Sequence, residues 1–298
     1  MKNLRLFLGI STLLGFLLLS SCNQTDLENK KVELPTSRVL EIESEYVENT
    51  VYQLFIDLPP SYGETDKNYP VVYLLDAYDT YGLMLQTYQA LIFQDEITEM
   101  IIVGISYKIE GDFYTKGLQK DLDLRARDFL PTYLPMDTTI KPGQKFSYIR
   151  YSGGGGNFLN FIEKELIPFI ETEFRADPEN RGLFGYSLGG TFTTFSMFSK
   201  PGLFKYYFIG SPYLGWDNKA VYRFDNTDKL IGTKDTINIY ISSGELEYGG
   251  RRHSLTDYLK GKNNPNMILR SELLAGETHL SGIGLAYSRA FRRLYGVK

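Results

Sequence analysis

One stretch, Arg181-Gly-Leu-Phe-Gly-Tyr-Ser-Leu-Gly-Gly190, constrains this chain more than any other. An apolar run ends in Gly185-Tyr-Ser-Leu-Gly189 and passes at once into Thr191-Phe-Thr-Thr-Phe-Ser-Met-Phe-Ser199, which suits a buried helix. Strand, G-x-S-x-G and helix in that order make a turn so sharp that the serine is held in a strained backbone conformation with its hydroxyl exposed. The glycines follow from the geometry. Residues two before and two after the serine are forced together, so a Cβ at Gly185 or Gly189 would crowd the facing segment. Gly190 adds clearance, and Ser187 reads as a nucleophile.

The opening residues read as a targeting segment rather than as part of the fold. Lys2 and Arg5 precede an apolar stretch from Leu6 to Leu19, short for a spanning helix, and Leu19-Ser-Ser-Cys22 closes it. That ending resembles a bacterial lipobox, which implies cleavage before Cys22 and lipidation of its thiol. Residues 1–21 are then a signal peptide, 22–37 a lipidated cysteine with a polar tether, and 38–298 one catalytic domain. The expected place is the bacterial cell envelope, on the periplasmic or surface side of a membrane, held by acyl chains. Cys22 is the only cysteine, so no disulfide framework or thiolate metal cluster is expected. A net charge of −4 leaves no basic footprint for nucleic acid.

Val39 to Glu48 and Thr50 to Leu58 alternate as two antiparallel strands, and Tyr69 to Leu75 is apolar enough to be buried on both faces. A helix over Tyr81 to Phe93 leads to a strand over Met100 to Ile105. Residues 107–156 break the rhythm and read as a long lid or binding loop, with Ser152-Gly-Gly-Gly-Gly156 as a mobile hinge. Asn157 to Phe174 has helical periodicity, and the strand after it delivers Ser187. Strands over Tyr206 to Gly210, Thr236 to Ser242 and Met267 to Leu274 follow, with helices over Arg251 to Lys260 and Ser281 to Leu294. The alternation predicts an α/β fold: a mostly parallel central sheet with helices on both faces.

A serine hydroxyl needs a positioned base to take its proton. The chain has two histidines. In α/β-hydrolases the order is serine, acid, histidine, each at the carboxyl end of a strand. His279, in the Gly276-Glu-Thr-His279 loop after the last strand, fits that order, whereas His253 reads as a surface or pocket-rim residue. Glu245 and Glu247 both follow the strand ending near Ser243, and Glu247 is the preferred acid. Backbone N–H groups of Leu188 and of either Ala77 or Tyr78 are placed to form an oxyanion hole. Tyr107, Phe113, Tyr114, Tyr133, Tyr148, Tyr151 and Trp216 can line an aromatic-friendly pocket. Arg125 and Arg127 can meet an acidic substrate group, or pair with Asp121, Asp123 or Asp128.

Taken together, these segments resemble the esterase D family of α/β-hydrolases, especially its siderophore (enterochelin) esterase-like branch. The resemblance runs from about Val39 to the C-terminus. It rests on Tyr69-Pro-Val-Val-Tyr-Leu-Leu-Asp76, Arg125-Ala-Arg-Asp128 with Pro131, Phe158 to Pro168, Gly185-Tyr-Ser-Leu-Gly-Gly190 and Ser211-Pro-Tyr-Leu-Gly-Trp-Asp217. It implies serine-dependent cleavage of carboxylic esters without a metal or organic cofactor, Ser187 as nucleophile, His279 as base and Glu247 as acid. The family often has glycine where this chain has Ala77, and some siderophore esterases work with a weak or absent acid. The expected substrate is a small-molecule ester of aryl or siderophore type. Two alternatives are an oligosaccharide ester of feruloyl or acetyl-xylan type and a non-catalytic binding lipoprotein that keeps the fold.

Overall fold

The computed structural model describes residues 34, 36–109, 117–135, 149–247 and 254–297. Eight strands form one sheet in the order β1-β2-β4-β3-β5-β6-β7-β8. β1 (Ser37–Glu43) and β2 (Val51–Asp57) are antiparallel to their neighbours, and β3 (Tyr69–Leu74), β4 (Ile101–Tyr107), β5 (Ala176–Tyr186), β6 (Tyr206–Gly210), β7 (Ile237–Gly244) and β8 (Met267–Leu274) run parallel. Every residue of β4 is buried, as a strand covered on both faces requires.

Strand alternation divides the core. Val71, Tyr73 and Leu75 face α2 (Leu118–Phe129), α3 (Gly155–Phe161) and α5 (Leu188–Ser199), whereas Val72 and Leu74 face α1 (Ala77–Phe93) and α8 (Ile283–Tyr295). A π turn over Ile162–Leu166 joins α3 to α4 (Ile167–Glu173), with Phe158, Phe161, Ile162, Leu166 and Ile170 buried. α6 (Trp216–Lys219) is one irregular turn, and α7 (Ser254–Gly261) covers the β7–β8 side. The register pairs Leu74 with Phe184, Tyr186 with Gly210, Gly210 with Ser242 and Gly244 with Leu274. The carboxyl ends of β3, β5, β6, β7 and β8 therefore finish together, and the loops after them share one end of the sheet.

Two expectations need correction. Residues 107–156 are not one long loop, because Leu118–Phe129 forms helix α2. Its buried residues are Asp121, Asp123, Ala126, Asp128 and Phe129, so most of the inward face is carboxylate and carries no apolar periodicity. Two of those carboxylates are paired: Asp128 accepts from Tyr52 Oη at 2.7 Å and Arg127 Nε at 2.6 Å, and Asp123 from Arg150 Nε at 2.8 Å. The glycine run is a packed support rather than a hinge. The N–H groups of Gly153, Gly154 and Gly155 donate to the carbonyls of Leu130, Arg127 and Leu130, and a Cβ at Gly153 would lie 2.6 Å from Tyr133 N.

Smaller shifts have local causes. β1 stops at Glu43 because the Ser44 hydroxyl caps the N–H groups of Tyr46 and Val47, starting a turn. α1 begins at Ala77, ahead of the helix expected over Tyr81 to Phe93, so Ala77 and Tyr78 lie in its first turn.

Candidate active site

The elbow at Ser187 has φ 57° and ψ −118°, the strained geometry that G-x-S-x-G predicts. A Cβ at Gly185 would sit 2.3 Å from Gly189 O, and one at Gly190 would sit 2.6 Å from Gly210 O. Glycine at these places lets α5 fold back against the strand that feeds it.

His279 is carried on the turn after β8, where Gly276 takes φ +73°. Its Nε2 lies 3.0 Å from Ser187 Oγ and its Nδ1 lies 3.4 Å from Glu247 Oε2. For Nε2 to accept a proton from Ser187, the neutral ring must carry its hydrogen on Nδ1 and donate it to Glu247. The other carboxylate oxygen, Glu247 Oε1, accepts from Gly244 N–H at 2.7 Å and from the Ser211 hydroxyl at 2.5 Å. Burial alone would raise the Glu247 pKa, but the hydrogen bonds from His279, Ser211 and Gly244 outweigh it and hold the carboxyl below its ordinary range. Glu245 turns elsewhere: its Oε2 accepts from Gly276 N–H at 2.9 Å and braces the base of the His279 turn.

Leu188 and Ala77 open α5 and α1, so neither N–H has an acceptor within its helix. The two helix starts are close together, since a Cβ at Gly189 would lie 3.0 Å from Asp76 Oδ2 and 3.5 Å from Leu75 Cβ. Tyr78 follows in the first turn of α1. Two positive helix ends lying close together next to Ser187 suit a developing negative charge.

The proposed substrate contacts fare differently. Arg125 reaches the start of α1, where its guanidinium is engaged by Asp76, with Nε 2.5 Å from Oδ1 and Nη2 2.9 Å from Oδ2. That partner is none of the three aspartates expected from sequence. Arg127 is engaged by Asp128 and Thr50. Trp216 is buried, and its indole N–H donates to Thr132 O at 3.0 Å, so it ties the segment after β6 to the one after α2. Tyr107 is corrected out of the pocket, since it is buried in β4 with its ring 5.6 Å from that of Tyr52. Tyr133 and Tyr151 are exposed. Cys22, Phe113, Tyr114, Tyr148 and His253 lie outside the described residues. Among the described residues no group of three His, Cys, Asp or Glu side chains is arranged to hold a metal ion.

Three residues that touch this constellation escaped the sequence reading. Asp76 enters the sequence reading only as the last residue of the Tyr69–Asp76 segment that carries the resemblance. Tyr186, the variable second place of G-x-S-x-G, donates from Oη to the main-chain carbonyl of His279 at 2.7 Å. Ser211, the first residue after β6, holds Glu247 from a left-handed φ of 39°. The available signal was position, since polar residues just past the carboxyl ends of adjacent parallel strands are candidates for a site.

The chain matches a family model described as "Putative esterase" over residues 44–129 and 137–272, a span that includes Ser187 and Glu247 and stops short of His279. It is 31% identical over 260 residues to the ferri-bacillibactin esterase BesA of Bacillus subtilis (strain 168), covering 82% of this chain and 85% of the relative. Among solved structures it superposes on the BES protein from Bacillus cereus with a TM-score of 0.75 at 28% identity, covering 90% of this chain and 99% of the other. An IroE-like serine hydrolase from Shewanella oneidensis, at 24% identity, shares the fold with a TM-score of 0.69 over 87% of this chain and 80% of the other. With a family match over most of the described domain and a strained serine facing a histidine at the strand ends, this chain belongs to that esterase family and is a carboxylic-ester hydrolase.

Proposed function

We propose that the protein is a serine esterase acting on siderophore-type aryl esters through Ser187, His279 and Glu247. The observation that carries the reading is the line from Ser187 Oγ to His279 Nε2 at 3.0 Å and from His279 Nδ1 to Glu247 Oε2 at 3.4 Å. In the forward step Ser187 Oγ attacks the ester carbonyl carbon and its proton passes to His279 Nε2. Ionised Glu247 stabilises the imidazolium. The carbonyl oxygen, now negative, is received by the N–H of Leu188 and by one from Ala77 or Tyr78. His279 then protonates the leaving alcohol as the C–O bond breaks, and water repeats the sequence to free the acid and restore the Ser187 hydroxyl.

The substrate class rests on the named activity of the Bacillus subtilis relative and on the exposed Tyr133 and Tyr151 of the segments flanking α2 and α3. Aromatic faces suit aryl groups. The lipobox-like segment ending at Cys22 supports a further reading, that the enzyme works while tethered by lipid to a membrane of the cell envelope.

The test is turnover of an aryl acetate by residues 23–298, run beside Ser187→Ala, followed by a panel of catecholate siderophore, feruloyl and acetylated-sugar esters. Turnover that needs Ser187 and is fastest on the siderophore ester is expected. A faster feruloyl or acetyl-sugar ester would move the substrate to polysaccharide, and silence on every ester from folded protein would leave a binding role.

A further inference from the structure

His279 is tied at both ends. Its ring nitrogens meet Ser187 and Glu247, and its main-chain carbonyl accepts from Tyr186 Oη. Tyr186 Oη lies 2.9 Å from Ser211 Oγ, which lies 2.5 Å from Glu247 Oε1. The polar groups thus close a ring that runs from the His279 carbonyl through Tyr186, Ser211 and Glu247 back to His279 Nδ1. We infer that Tyr186 and Ser211 are positioning residues that set the angle and reach of His279 toward Ser187. This rests on the reading of Ser187, His279 and Glu247 as the reacting triad.

Three features support the assignment. Tyr186 and Ser211 are 4% and 5% exposed, so the inner half of the ring is shielded from water and its hydrogen bonds are strengthened by low dielectric. The pleat of β5 sends Ser187 to the open end and Tyr186 to the α8 side, beneath the His279 turn, where its ring centroid is 5.4 Å from the imidazole. Ser211 is held at φ 39°, with its N–H donating to Ser242 O at 2.7 Å, so the backbone of β6 aims the hydroxyl despite the strain.

The protons can be counted. Glu247 Oε1 already receives Gly244 N–H, so with an ionised carboxylate the Ser211 hydroxyl donates to it, sharing its one hydrogen with Tyr186 Oη, and Tyr186 donates to the His279 carbonyl. Loss of the Ser211 donor therefore makes Glu247 more basic and strengthens its hold on the imidazolium. Loss of the Tyr186 hydroxyl changes no charge partner and only frees the turn.

The experiment compares Tyr186→Phe, Ser211→Ala and Ser211→Gly with wild type and Ser187→Ala. It measures kcat, KM and the pH dependence of kcat on an aryl acetate, with inactivation by a fluorophosphonate as a substrate-independent report on Ser187. Each positioning variant should lose about tenfold in kcat and in inactivation rate with KM within about twofold. The Tyr186→Phe, Ser211→Ala double variant should lose less than the product of the two. The acidic limb of kcat should move to higher pH in the Ser211 variants and stay in place in Tyr186→Phe. Ser211→Gly relieves the left-handed backbone and should lose as much kcat as Ser211→Ala even if it melts higher, which separates positioning from stability. Wild-type kcat and unmoved limbs in folded variants, beside a dead Ser187→Ala, would overturn the assignment and leave the triad standing. Turnover retained by Ser187→Ala would instead overturn the triad reading on which it rests.

Discussion

Arg125 and Asp76 form a two-pronged ion pair at the meeting of α2 and α1, with N–O distances of 2.5 and 2.9 Å and side-chain exposures of 18% and 8%. Asp76 needs that partner. Its residue adopts φ 55° ahead of α1, its side chain makes no capping hydrogen bond to that helix, and its carboxylate is close to the first turn of α5. An uncompensated negative charge there would oppose the negative charge that develops on an ester carbonyl oxygen.

Removing one member of the pair should therefore damage both stability and turnover. Arg125→Met should cost about 3 kcal/mol, because breaking a buried pair leaves one charge without a partner. Arg125→Met with Asp76→Asn should recover much of that loss in a urea melt. Equal losses in the single and double variants would mean that the pair carries no coupling. Arg125→Lys should recover only part, since a point charge cannot reproduce the fork.

Ser187→Ala and His279→Ala should each reduce kcat by about 10⁴-fold or more, and the double variant should be little worse, because triad members act as a unit. Glu247→Gln should lose less. Glu245→Gln should keep kcat close to wild type, since that side chain holds Gly276 N–H and does not face His279. A Glu245 variant more damaged than the Glu247 variant would exchange the roles of the two carboxylates.

The contrast between these glutamates shows how far the sequence could be read. Apolar runs made the parallel strands legible, and β8 occupies Met267–Leu274, the span that its sequence predicts. The elbow was legible because only glycine fits beside Gly189 O and Gly210 O. Glu245 and Glu247 follow the same strand, however, and the preference for Glu247 rests on position rather than on a physical difference between the two carboxylates. Gly244 N–H turning back onto Glu247 Oε1 separates Glu247 from Glu245, and that turn has no signature beyond one glycine. Helix α2 was hidden for a different reason. Asp128 and Asp123 on its inward face are balanced by Arg127 and Arg150, and Arg125 by Asp76, so charge pairing replaces the apolar stripe that periodicity detects. Such partners, 27 or 49 residues apart in two of these cases, become visible only after folding.

Gly185→Ala isolates the elbow's steric demand. The added Cβ would stand 2.3 Å from the backbone oxygen of Gly189 and 2.5 Å from the side-chain Oγ1 of Thr193, too close to fit without moving α5. A loss of about 3 kcal/mol or more is expected, at the upper end of what core overpacking costs, because the contact is with backbone. Gly156→Ala is the control, because nothing lies within 4 Å of its Cβ position and a Cβ in α3 favours the helix. A thermal melt that treats the two alike would show that the elbow tolerates rearrangement.

Asp121 supplies a test by pH. It is 6% exposed on α2, and burial, followed by the charges of Asp76 and Asp79, pushes its pKa up to about 7, with Arg125 opposing the rise. In the unfolded chain an aspartate titrates near 3.9. The folded state therefore binds the Asp121 proton more tightly than the unfolded one, and its contribution is fully present below about pH 4. Stability is lost as pH rises from there through about 7, then levels off once both states are ionised. Asp121→Asn carries no proton to lose, so it should melt above wild type by at least about 2 °C at pH 8, with the gap closing toward pH 4. The decisive quantity is the difference between the two Tm curves against pH. A difference that stays flat would mean that Asp121 is ionised in the folded protein at neutral pH, and that Arg125 shares its charge with Asp121 as well as with Asp76.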